Sequence, residues 1–308
     1  MNAARLWRLQ YLEALLLLGV CVPGIAQVTP ADGDKAFATY RAMADALLKQ
    51  EILPRVYDAL PTADRTYIQT VPLEVTLERN PFETGLQGRD PNRAIRISAG
   101  FLVALDIASD ATAAAAHTRR YQALPGYAAE YSLVIRQQWL ERQGARVAPR
   151  MFADYIDWPE QAATEFRASP DYRKLRLAMM RQSLVWISAH YVGHLVLDRR
   201  KPPDKRTDAR LREGQIDAFA SDLAYSAGYS AMPPLANAVL FASIDHPEQS
   251  RDPSDWMCRA TAVVGRGLDH IARYRRSSST RRDRAWDSVN AEKTELHRLR
   301  KQYSCPSY

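Results

Sequence analysis

SLVWISAHYVGHLVLD, residues 183–198, carries no formal charge before its final aspartate and contains no proline. Apolar residues fill most of its positions, and it reads as an apolar helix. In such a helix His190 and His194, four apart, stand one turn from each other on a shared face. Two imidazoles so placed can chelate one Zn²⁺, which is why His-x-x-x-His on a helix recurs in zinc enzymes. Two core histidines would give the same spacing, so a further donor has to come from elsewhere in the chain.

The next helical stretch offers one. Across KPPDKRTD (Lys201–Asp208), which its prolines bar from continuing either helix, comes EGQIDAFASDLAYSAGY, with Glu213 and Asp217 one turn apart. Two helices so joined can fold back on each other and bring a carboxylate to the imidazole pair. Glu213 is then the third metal ligand, and Asp217 accepts a ring N–H from a ligand histidine and fixes its tautomer. The other reading of Glu213 is an exposed acid favoured by the helix dipole near its N-terminus.

The same periodicity organises the rest of the chain. Asp34–Leu60 reads as a helix. Thr66–Thr76 alternates through Tyr67, Ile68, Val71, Leu73 and Val75, and Ala94–Ser98 follows a turn-rich segment. Together they predict a small N-terminal antiparallel sheet. Helices are expected at Phe101–Tyr121, Gly126–Gln143, Glu160–Phe166, Tyr172–Asp198, Asp208–Ala227, Pro233–Ile244, Trp256–Tyr274 and Arg281–Lys301. The fold class is therefore α+β and predominantly helical. The polar run Arg275–Thr280 marks a boundary between a body, residues 27–272, and a basic helical tail, residues 273–308.

With 308 residues, 46% hydrophobic and 25% charged, and three cysteines, the composition excludes a disordered, collagen-like or cystine-scaffold chain. Arg5 and Arg8 precede the apolar run Ala14–Val22, which ends in Gly24-Ile25-Ala26, so residues 1–26 read as a signal peptide. Export to the bacterial periplasm or beyond is the expectation. Without the leader, 40 basic and 34 acidic residues remain, and the whole excess of six lies between Arg273 and Lys301. The body is neutral. In an exported chain the basic tail suits an anionic envelope surface, and no nucleic-acid partner is expected. Cys258 and Cys305 are the two cysteines left, either disulfide-bonded or separate thiols. No Gly-rich phosphate loop and no Cys-x-x-Cys pair occurs.

AHYVGHLVLD and EGQIDAFA resemble the two metal-binding segments of the HtpX and BepA type of zinc metallopeptidases, which also contains the CAAX prenyl proteases. RISAGFLVALDIASDATAAAA (Arg96–Ala116), AGYS (Ala227–Ser230) and DHPEQSR (Asp245–Arg251) look like further segments of that family, and the resemblance runs from about Thr66 to Ile271. It implies a gluzincin-like metallopeptidase domain with one Zn²⁺ on His190, His194 and Glu213, Asp217 behind them, and a protein or peptide in the cleft. In the family a Glu follows the first His and serves as general base; here that position holds Tyr191. A phenol of pKa near 10 is a poor base at neutral pH, and losing a positioned base costs about 10² to 10⁴ in rate. The resemblance further implies that His246, before Pro247, is an extra ligand or a loop histidine. In direct register with Arg96, His117 would stand where the first His belongs. The functional expectation is an exported zinc metallopeptidase-like protein with reduced or lost peptide hydrolysis. The alternative is a non-catalytic binding or assembly factor of the cell envelope on a peptidase scaffold.

Overall fold

A computed structural model of the chain describes residues 30–88, 92–140, 150–202, 208–245, 251–277 and 284–306. The expected signal peptide and His246 lie outside the described residues, as do residues 278–283 near the expected hinge.

Helix α1 (Pro30–Leu47) runs through a π-helical turn, Leu48–Ile52, into α2 (Leu53–Asp58). Pro54 explains the wide turn: it has no N–H for the helical ladder, and its ring crowds the carbonyl four residues back, at Gln50. A short helix α3 (Thr62–Ile68) precedes strands β1 (Leu73–Thr76), β2 (Gly85–Gln87) and β3 (Ala94–Ser98). The sheet order is β1-β3-β2.

The antiparallel expectation fails for half of this sheet. β1 pairs parallel to β3, Leu73 opposite Ile95 and Val75 opposite Ile97, and β2 alone runs antiparallel to β3. The chain leaves β1, crosses to the far edge to form β2, and returns to the centre as β3. β2 begins the segment that reads as turns, and the first three residues of the expected strand Thr66–Thr76 belong to α3, where Asp64 and Ile68 are buried at helical spacing.

After β3 the chain is helical: α4 (Ala99–Thr118), α5 (Leu124–Trp139), α6 (Phe152–Tyr155), α7 (Glu160–Ala168), α8 (Pro170–Arg200), α9 (Ala209–Ser226), α10 (Leu235–Asp245), α11 (Pro253–Ser277) and α12 (Arg284–Gln302). Ser98 ends β3 and caps α4, accepting the Phe101 N–H at 3.1 Å. α4 is long and apolar enough to cross a membrane, but it is buried inside the fold, packed by α1, α8 and α10. Its two acids, Asp106 and Asp110, are neutralised there: Arg176 and Tyr40 bind Asp106, while Arg167 and Tyr172 bind Asp110. Asn237 of α10 donates to Ser109 at 2.9 Å and to the Leu105 carbonyl at 3.2 Å. These bonds fix the azimuth of α8 and α10 against α4, because a buried polar group left unpaired is costly.

α11 continues past Arg275 to Ser277, so part of the expected hinge is helix. α12 packs on α11 through buried Leu296 and Leu299, and a disulfide joins Cys258 of α11 to Cys305 beyond α12.

Candidate metal centre

α8 starts at Pro170 with Ser169 as cap, its hydroxyl accepting the Tyr172 N–H at 3.1 Å, and α9 starts behind Asp208, which caps Leu211 at 3.1 Å. The two helices lie against each other along their length. Trp186 Nε1 meets Ser221 Oγ at 3.3 Å, His190 Nδ1 meets Asp217 Oδ1 at 3.0 Å, His194 Nε2 meets Glu213 Oε1 at 3.5 Å, and Arg212 meets Asp198 at 2.9 Å. Numbers rise on one helix as they fall on the other, the signature of an antiparallel pair. Gly193 lets them approach: a Cβ there would stand 3.1 Å from Phe219 Cδ1 and 3.3 Å from Ile216 Cγ2. A larger side chain would have to push α9, and Glu213 with it, away from the histidines.

The pairing brings His190, His194 and Glu213 together. The two Nε2 atoms are 3.1 Å apart, and Glu213 Oε2 is 3.7 Å from His190 Nε2. A fourth donor joins them from the end of α10: Asp245 Oδ2 lies 3.3 Å from His190 Nε2. One donor atom from each of His190, His194, Glu213 and Asp245 falls within 4.8 Å of the others, so the group could hold a metal ion. Two imidazole nitrogens and two carboxylate oxygens suit zinc, whose sites are tetrahedral with nitrogen, sulfur or oxygen donors.

Around these donors sits Arg259 of α11. Its guanidinium contacts Asp217 at 2.9 and 3.0 Å, Glu213 at 3.0 Å and Asp245 at 3.0 Å. With neutral imidazoles, three carboxylates face one guanidinium, and the buried cluster carries two negative charges in excess. A divalent cation cancels them, and a buried charge left uncancelled is costly. The protonation states follow from this field. Burial alone would lower the His190 pKa, but the charge of Asp245 and its contact with Asp217 overcome that and raise it to about 9. Burial alone would raise Asp217, and Arg259 with His190 pulls it down to about 2. Asp217 is therefore a carboxylate at all ordinary pH, facing Nδ1 of His190 and leaving Nε2 toward the other donors. Aromatic rings wall the site: Trp186 stacks on His190 at 5.5 Å, and Phe241 meets its edge at 5.0 Å.

Tyr191 is buried beside the donors, and burial and the charge of Asp245 push its phenol well above the ordinary range. It cannot act as a base near neutral pH. His117 takes no part in the cluster. It ends α4, stacked on Phe166 at 4.0 Å, and with Trp158, Glu165 and Asp171 lines a separate open pocket of about 420 Å³.

Asp245 and Arg259 were not legible as site residues, although signals existed. Asp245 closes the apolar run Leu235–Ile244 one turn after Phe241, and Arg259 is set among Trp256, Met257, Cys258 and Ala260. A charge inside an apolar helix must find a partner, and these two find each other.

No family model, curated protein or solved structure matches this chain.

Proposed function

We propose that the protein is an exported, metallopeptidase-like zinc protein of the HtpX and BepA type whose peptide hydrolysis is lost, its metal serving to hold the cleft helices together. The observation that carries this reading is the convergence of His190, His194, Glu213 and Asp245. Catalytic zinc sites keep one position open beside three protein ligands, whereas a site with four protein ligands is closed. Zinc bound here would supply folding energy rather than an activated water. Tyr191 points the same way, because the position next to the first histidine has a neutral, buried phenol in place of a carboxylate. The chain's own residues then have structural roles. His190 and His194 bind from α8, Glu213 from α9 and Asp245 from α10, Asp217 orients His190, and Arg259 holds the carboxylates in place. On this reading the protein binds a peptide segment without cutting it and meets an anionic envelope surface through its basic C-terminal helix.

Metal analysis of the purified chain tests this reading, together with an assay on an unfolded protein substrate. One zinc per chain, its loss in His190→Ala and no cleavage above background are expected. An absence of stoichiometric zinc, or zinc that survives His190→Ala, refutes the metal site. Cleavage by the wild-type chain that a chelator abolishes refutes the loss of hydrolysis.

A further inference from the structure

Arg259 occupies the oxygens around the donor group as well as balancing their charge. Its guanidinium makes four hydrogen bonds, and they end on four of the six oxygens that Glu213, Asp217 and Asp245 possess: both of Asp217, Oε2 of Glu213 and Oδ2 of Asp245. Asp217 is fully engaged, since His190 Nδ1 also stands 3.0 Å from its Oδ1. Glu213 is divided, with Oε2 facing Arg259 at 3.0 Å while Oε1 stands 3.5 Å from His194 Nε2. On Asp245, Oδ2 serves both sides, 3.3 Å from His190 Nε2 and 3.0 Å from Arg259. A carboxylate held in this way can give a metal one oxygen, but turning to grip with both costs it a charge-assisted hydrogen bond. The guanidinium is itself pinned, its Cζ 5.5 Å above the Phe241 ring. Two imidazole nitrogens and one oxygen each from Glu213 and Asp245 make four donors, the number zinc takes. Mn²⁺ prefers six, mostly oxygen.

Building on the zinc-site reading above, we propose that Arg259 is a positioning residue that determines which metal the centre takes: by holding carboxylate oxygens that a six-coordinate ion would need, it limits the protein to four donors and selects Zn²⁺ against Mn²⁺. The chemistry of the residue fits the task. A guanidinium is planar, always charged and carries five N–H donors in a fixed fork, so one side chain can hold three carboxylates at once. A lysine would keep the charge, but its ammonium is a point donor on a flexible stem and cannot reproduce that fork.

Competition between the two ions reads this directly. The metal-stripped full chain and its Arg259→Met and Arg259→Lys variants are each equilibrated with Zn²⁺ and Mn²⁺ together, and the bound metals are measured. Zinc outcompetes manganese at most sites with nitrogen donors, so the informative quantity is the change in the ratio of the two affinities. Each variant is expected to lower the Zn²⁺ to Mn²⁺ ratio by about tenfold or more, the scale on which partners behind metal ligands act. Co²⁺ loaded in place of zinc gives a second readout, because four-coordinate Co²⁺ absorbs visible light several-fold more strongly than six-coordinate Co²⁺. Wild type should show the strong spectrum and the variants a several-fold weaker one. If Arg259→Met does not fold, Arg259→Lys, which keeps the buried charge balanced, carries the test alone. An arginine that only held the helices together would weaken both ions alike, so a ratio and a Co²⁺ spectrum unchanged in the folded variant overturn the selecting role. Wild-type protein that binds neither Zn²⁺ nor Co²⁺ refutes the zinc-site reading itself, a separate failure.

Discussion

Arg259 and Asp217 form a two-point pair inside the protein, Nε to Oδ2 at 2.9 Å and Nη2 to Oδ1 at 3.0 Å. The same guanidinium has protons left for Glu213 and Asp245, so one side chain from α11 ties α9 to the end of α10. Arg259→Met strands three carboxylates away from water. Breaking a buried charged pair by removing one partner costs about 3–5 kcal/mol, and denaturant unfolding of the metal-free protein should show a loss of that order. A loss below about 1 kcal/mol would place these carboxylates in contact with solvent.

The pH dependence of stability follows from His190. Its folded pKa of about 9 exceeds the ordinary 6.5, so in metal-free protein its contribution is complete below pH 6.5 and disappears as the pH rises through about 9. Zinc bound as proposed would take the place of that proton. Binding then releases it, and apparent affinity rises with pH until about 9, by up to about tenfold per unit. The zinc-loaded protein should not share the alkaline decline. Asp217 acts at the other end: its depressed pKa stabilises the fold above pH 3.8, and that contribution is lost as the pH falls through about 2. Unfolding of both forms between pH 6.5 and 9 checks the first part, and parallel curves would contradict it.

Cys258 and Cys305, 47 residues apart, close a loop that holds α12 against α11. Cys258→Ser with Cys305→Ser, or reduction of the native protein, should lower stability by about 2–4 kcal/mol. Hydrogen exchange should show the added opening in α12, whose buried anchors are few, ahead of α8 and α9.

If peptide hydrolysis is lost as proposed, two changes would be needed to bring it back. Tyr191→Glu returns a carboxylate beside His190, and Asp245→Ala vacates a donor position. The double variant is expected to cleave an unfolded protein substrate about 10² to 10⁴ times faster than wild type. Asp245→Ala alone, with no base, should remain silent. A double variant that holds zinc and stays inactive would show that the cleft cannot seat a peptide.

The helices were largely legible because burial in this fold follows local periodicity. The expected helix Tyr172–Asp198 is found as Pro170–Arg200, and Asp208–Ala227 as Ala209–Ser226. His190, His194, Glu213 and Asp217 were legible too, since spacing of four on two successive helices is a local property. The sheet was not. Whether β1 runs with or against β3 depends on the path between them, which strand composition does not record. Asp245 and Arg259 were missed for a related reason. Each is the single site residue on its helix, so no spacing announces it, and its meaning arises only when four helices meet.

The antiparallel meeting of α8 and α9 also determines what a relative of this chain would have to preserve. Opposed residues are fixed by where each sits inside its own helix, so the connection between the helices can lengthen or shorten without disturbing which donors face each other. One residue inserted between His190 and His194 would instead swing a donor about 100° around the helix and dismantle the centre. The gap from His194 to Glu213 is therefore a poor basis for finding relatives, and the two intervals of four, with a lone aspartate and a lone arginine on the helices that follow, are the better one.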